Sequence, residues 1–202
     1  IALTVGIAAS LINATVGILY GSISGYIGGR VDNIMMRIVD ILYSVPLTLV
    51  VILIMVRFEE RGLQTILLAI GLTYWIGMAR LVRGQIMALK NEEYVLAART
   101  LGASDKRILM KHLIPNALGP IVINLTMSIP SAIFTESFLA FIGIGLAPPL
   151  ASLGTLCYDA LGGYQIHPHM LLAPAGVLCI MMLAFNFLGD GLRDALDPKM
   201  RR

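Results

Sequence analysis

Apolar residues in this chain do not alternate with polar ones. They come in long, nearly unbroken runs. A helix needs about 20 apolar residues, at roughly 1.5 Å each, to cross the hydrocarbon of a bilayer. Five runs meet that length: residues 1–27, 34–56, 63–79, 117–142 and 170–188. Short segments of strict alternation are absent, which excludes a transmembrane β-barrel. The pattern predicts an all-α integral membrane protein with one transmembrane domain across residues 1–202. Ile1 already lies inside an apolar run, with no basic stretch before it, so the first run is not a signal peptide. The reading expects a missing N-terminal helix, making five passes present of six.

Composition agrees. The chain is 57% hydrophobic and 13% charged, with mean hydropathy +0.84. Soluble domains carry about 25% charged residues. Disorder needs low hydrophobicity and is excluded. A net charge of +3 resting on 15 Lys+Arg gives no basis for a nucleic-acid partner. The placement of those charges orients the passes. Segments 28–33, 80–116 and 189–202, with nearby Arg37, hold all the basic residues except Arg57 and Arg61. Segment 143–169 holds none. Basic segments stay on the cytoplasmic side. The long segment 80–116 and the tail 189–202 are therefore expected to be cytoplasmic, and 143–169 external.

Inside the passes, Gly17, Gly21, Gly25 and Gly29 recur every four residues, on the face of Ala9 and Asn13. Small residues at that spacing let two helices approach closely, in a static or a sliding contact. Pro46, Pro130 and Pro174 lie in or at the edge of passes and are expected to kink them. Glu136 sits among Phe134, Phe138, Leu139 and Phe141. A carboxylate in hydrocarbon costs at least about 2.5 kcal/mol, so it must face the bundle interior, be protonated or lie near an interface. Glu136, with Asn124 and Ser128, is a pathway or gate candidate. A structural hydrogen bond between helices serves as well for Glu136, and better for Asn13, Asn124 and Asn186.

No chemistry of catalysis is visible. A phosphate loop needs G-x-x-x-x-G-K-[ST], and no such run exists. Gly102-Ala103-Ser104-Asp105 lacks the second Gly of a nucleophile elbow. His167 and His169 flank Pro168 with no third ligand nearby, so no metal site is expected. Cys157, in a loop, and Cys179, in an apolar run, form no disulfide framework.

Segment 80–116 is periodic and too long for a connector. Residues 80–89 extend the third pass beyond the membrane. Residues 94–101 read as a short Ala-rich helix ended by Gly102. Residues 105–113 read as a second, amphipathic helix, with Ser104 as N-cap and Asp105 at its positive end. Pro115 is expected to stop it before the fourth pass. The result is a compact helical knob, suited to a groove on a partner or, for the second helix, to a membrane surface.

The stretch Glu93-Tyr94-Val95-Leu96-Ala97-Ala98-Arg99-Thr100-Leu101-Gly102-Ala103-Ser104, followed by His112-Leu113-Ile114-Pro115-Asn116, resembles the EAA loop of bacterial ABC importer membrane subunits. Ala97, Ala98, Gly102 and Pro115 match in register. Leu96, His112 and Ile114 depart from the general pattern Glu-Ala-Ala…Gly…Ile-x-Leu-Pro, and agree with the dipeptide/oligopeptide/nickel branch. The ending Asn186-Phe187-Leu188-Gly189-Asp190-Gly191-Leu192-Arg193-Asp194-Ala195-Leu196-Asp197-Pro198 is similar to that branch. So are Arg37-Ile38-Val39-Asp40-Ile41 with Pro46, and Glu136-Ser137-Phe138-Leu139-Ala140-Phe141-Ile142-Gly143. The whole chain looks most like the C-type permease of the branch.

The resemblance implies a type I ABC importer transmembrane domain in the bacterial inner membrane. It implies a sister permease, two cytoplasmic ATP-binding subunits and an external substrate-binding protein as partners, within a lipid bilayer. ATP and Mg would belong to the partner subunits, with no cofactor on this chain. Glu93, Tyr94, Ala97, Ala98, Gly102, Ala103, His112 and Pro115 would form the ATPase-coupling loop. The implied cargo is peptide, with nickel or another small solute as alternative. From the residues alone, a proton-coupled carrier using Glu136 and a membrane-embedded hydrolase are the competing readings. Neither inverted repeats nor a nucleophile–base pair supports them.

Overall fold

The computed structural model describes residues 1–58 and 62–196. Among these, all regular structure is helical: α1 (Ala2–Ile27), α2 (Gly29–Ser44), α3 (Leu47–Phe58), α4 (Leu63–Leu89), α5 (Glu93–Thr100), α6 (Asp105–Ile108), α7 (Ile114–Asn116), α8 (Leu118–Phe141), α9 (Leu153–Ala160) and α10 (His169–Leu196). A single π-helical turn, Leu109–Leu113, joins α6 to α7. Four helices, α1, α4, α8 and α10, are each long and apolar enough to span a membrane, and the α2–α3 pair brings the number to five.

The central contact is between α1 and α4. A Cβ on Gly17 would lie 2.5 Å from Met78 Cβ, and one on Gly25 would lie 2.7 Å from the Arg83 carbonyl oxygen. One on Gly21 would overlap the Ala79 carbonyl oxygen. Side chains do not fit at these positions; Gly17 packs on the Met78 side chain, and at Gly21 and Gly25 the two backbones meet directly. The partners advance together along both helices, so α1 and α4 run parallel. Gly29 does not continue this seam. α1 ends at Gly28 (φ 70°), and a Cβ on Gly29 would meet nothing within 4 Å. The four-residue period ran past the end of the helix that gave it meaning.

α8 runs antiparallel to both. Ile129 and Ile133 flank Gly6, Ser128 meets Ser10, and Tyr74 of α4 donates to the Ser131 carbonyl at 2.9 Å. A buried cluster of Val5, Ala9, Ile66, Ile70, Ala132 and Leu146 closes one end of this trio. A second, containing Met78, Val82, Ile86, Val95, Ile108, Leu113, Ala117 and Ile121, closes the other.

The expected second pass, 34–56, is bent, as Pro46 leads one to expect. α2 and α3 are bent by 80°. Pro46 starts the new direction. Val45 before it is extended (φ −88°, ψ 120°), as a residue preceding proline prefers. The pair still does the work of one pass. α2 follows α4 from Arg83 to Ile76, and α3 continues beside Ala69. The chain must return in this way for α1 and α4 to be parallel.

The other prolines behave differently. α8 continues through Pro130 and α10 through Pro174. Pro115 does not end the second loop helix. It occupies the first turn of α7, where a missing N–H costs nothing, and the π turn precedes it. The chain from Asp105 to Phe141 is therefore nearly continuous, broken only at Ala117.

Segment 143–169 carries an unanticipated helix, α9. Ser152 and Thr155 form a capping box at its start. Cys157 lies in α9 and is buried, not in a loop, and burial pushes its thiol pKa up. Cys179, on α10, is exposed. α10 rests on α8 and α9, and Gly189 is its one buried residue among those described. Leu53, Ile180 and Phe187 are 66%, 69% and 73% exposed. Such apolar surface suits lipid or another membrane chain.

The glycine seam sets an expected outcome. Gly21→Ala pushes a methyl into the Ala79 backbone and should cost about 1–3 kcal/mol of stability. Gly84→Ala, whose new Cβ meets nothing within 4 Å, should be neutral or gain up to about 1 kcal/mol. Thermal unfolding in mild detergent distinguishes the two.

Candidate coupling knob and its polar hub

α4 runs on to Leu89, and a turn at Lys90 hands the chain to α5. Within α5 only Val95 is buried, and it joins the cluster containing Ile86 and Ile108. Glu93, Tyr94, Leu96 and Ala97 are exposed, and Leu101 at the tip is 87% exposed. Gly102 ends the helix with φ 80°. Its N–H bonds the Arg99 carbonyl at 3.0 Å, and the Ala103 N–H bonds the Ala98 carbonyl at 3.0 Å. This is a Schellman ending, which needs a left-handed residue and so favours glycine. Partial burial, helped by the nearby Glu92 charge, raises the Tyr94 phenol above its ordinary pKa.

Ser104 takes the N-cap position of α6, with extended backbone, but its side chain makes no cap bond. Asp105 opens the helix and accepts a hydrogen bond from the Tyr26 hydroxyl. A cleft of about 260 Å³ lies between α5 and the π turn, lined by Ala98, Leu101, Gly102, Ala103, Arg107 and His112. The structure thus brings Ala98, Gly102, Ala103 and His112 together. Glu93 and Tyr94 stand at the start of α5, and exposed Pro115 lies beyond the cleft.

Beneath the knob is a polar hub that sequence reasoning missed. Arg83 grips Asp32 with two hydrogen bonds, from Nε to Oδ1 and from Nη2 to Oδ2 at 2.6 Å. Ser24 donates to the same carboxylate at 2.6 Å. Lys90 Nζ donates to the Gly25 carbonyl at 3.0 Å. Further along, Arg80 pairs with Asp40 at 2.7 Å and stacks over Tyr43. Unlike-charged residues at the polar ends of two apolar runs were the available signal, but it does not reveal which pairs meet.

The pathway candidates do not form one group. Glu136 is fully buried. Ser137 donates to its Oε2 at 3.2 Å, and Oε1 has no hydrogen-bond partner among the described residues. Ser128 instead pairs with Ser10 at 2.9 Å. Asn124 and Asn186 are half-buried, and Asn13 is buried with Oδ1 unpartnered. Among the described residues no cluster of His, Cys, Asp or Glu is arranged to hold a metal.

These features define a multi-pass helical membrane protein with a protruding helical knob. The family model for "Binding-protein-dependent transport system inner membrane component" matches residues 17–202, and the chain belongs to that family. It is accordingly a multi-pass protein of the inner membrane. It is 53% identical to the oligopeptide transport system permease protein OppC of Bacillus subtilis (strain 168), over all of this chain and 66% of the relative. It is 51% identical to the dipeptide transport system permease protein DppC of the same organism, over all of this chain and 63% of the relative. OppC of Escherichia coli (strain K12) is 48% identical, over all of this chain and 66% of the relative. The chain thus spans about two thirds of the length of these relatives. Its fold is shared with the inward-facing MetNI methionine ABC transporter, with TM-score 0.72 and 20% identity over 97% of this chain and 94% of that one. An amino acid ABC transporter with histidines gives TM-score 0.65 at 16% identity, over 94% and 90%. The fold is that of an ABC importer transmembrane domain.

The hub yields a measurable consequence. Asp32→Ala leaves a partly buried guanidinium without its acceptor and should cost roughly 1–3 kcal/mol, between the values for exposed and buried pairs. Asp32→Ala combined with Arg83→Met should recover most of that loss in detergent melting.

Proposed function

We propose that this chain is a membrane subunit of an ATP-driven peptide importer. With a sister permease it encloses the translocation path, and an external binding protein delivers the peptide. Two cytoplasmic ATP-binding subunits hold ATP and Mg and hydrolyse the nucleotide. The knob, residues 80–116, docks in a groove of one of them. The knob and the tail face the cytoplasm, and segment 143–169 faces outward. Peptide as cargo is supported by relatives near 50% identity that are named as oligopeptide and dipeptide permeases. The carrying observation is the knob itself: a short helix, anchored by buried Val95 and stopped by Gly102, that presents Tyr94, Ala97 and Leu101 outward.

Purification of the tagged full-length chain from its own host in mild detergent should bring a sister permease and ATPase subunits with it. Ala97→Trp keeps the helix and adds bulk on its exposed face. It should leave the chain in the membrane and abolish, or cut by more than about tenfold, ATP-dependent peptide uptake, as loss of a hot-spot contact would. Gly102→Trp, which also strains the left-handed position, should do the same. Normal uptake by both variants sinks the coupling role. Transport by the chain alone, in liposomes without ATP, overturns the importer reading in favour of a carrier centred on Glu136.

A further inference from the structure

Three successive residues at the end of α1 reach three different parts of the fold. Ser24 bonds Asp32 of α2, and the Gly25 carbonyl accepts from Lys90 beyond α4. Tyr26 bonds the knob: its hydroxyl donates to Asp105 at the start of α6 and accepts from Arg99 of α5 at 3.4 Å. The Tyr26 ring packs against the buried cluster that contains Val95 of α5 and Ile108 of α6. One residue of α1 therefore holds both knob helices, through its ring and through its hydroxyl.

We propose that Tyr26 is a positioning residue for energy coupling. Its hydroxyl, between Asp105 and Arg99, makes the knob and the end of α1 move as one body. A displacement imposed on the knob then passes to α1. The seam at Gly21 and Gly25 carries it to α4, because there backbone meets backbone and no flexible side chain absorbs it. This rests on the docking role of the knob given above.

Tyr26→Phe keeps the ring and removes only the hydroxyl. Asp105→Ala removes the acceptor, while Asp105→Asn keeps a carbonyl oxygen that accepts from Tyr26. The test uses the complete transporter in liposomes and reads peptide moved per ATP hydrolysed. Tyr26→Phe and Asp105→Ala should each lower this ratio about fivefold, the equivalent of one hydrogen bond, with ATPase subunits still copurifying. The double variant should be no worse than either single, as expected when both remove one shared bond. Asp105→Asn should stay near the wild-type ratio. A wild-type ratio for Tyr26→Phe, or single effects that multiply in the double variant, overturns the proposal alone. A wild-type chain that retains no ATPase subunits overturns the docking role and this proposal with it.

Discussion

The direct backbone contact between α1 and α4 constrains everything else in this protein. Glycine at three successive turns of α1 removes the side chains that would hold the helices apart. Dispersion contacts then form along the whole length of the pair, which matters in lipid, where no hydrophobic force drives helices together. The two helices run parallel, so the intervening chain has to travel the full length of the bundle between them. That requirement makes sense of the bent α2–α3 pair, a return path laid against α4. α8 then completes the bundle against α1 and α4, running the other way and touching α3 through Leu139.

The knob is an outgrowth of that bundle rather than a separate body. Its apolar residues Val95, Ile108 and Leu113 share a cluster with Met78, Val82 and Ile86 of α4. The polar hub adds direction to this packing. Two carboxylates, three cations, a serine and a tyrosine fix the end of α1 against α2, α4, α5 and α6. Charges at this level are partly wetted, so their value lies more in defining one arrangement than in adding stability.

Much of this was legible in the amino-acid order. Unbroken apolar runs mark α1, α4, α8 and α10 because lipid demands length and apolarity and little else. Gly102 marks the end of α5 because a left-handed residue must be there. Other features were hidden for physical reasons. Pro46 marked a kink in the second pass, but hydropathy does not register direction, so the 80° size of the bend was hidden. The bond between Asp32 and Arg83 links residues 51 apart, a distance no local pattern reports. Pro115 looked like a stop because the π turn that accommodates it has no sequence signature. α9 was missed because its start depends on a reciprocal bond between Ser152 and Thr155, small residues common in loops. Gly29 was misplaced because a period carries no information about where its helix ends.

The bare surface of α10 has a consequence for how this protein can change over generations. A residue that faces lipid has to be apolar, but it does not have to fit a shape. Where exposed positions such as Ile180, Leu183 and Phe187 meet lipid and not another chain, they can exchange among Leu, Ile, Val and Phe with little penalty. Gly189 is different, since a Cβ there would sit 2.6 Å from the Met127 sulfur. One helix thus combines positions free to drift with a notch that holds it in place.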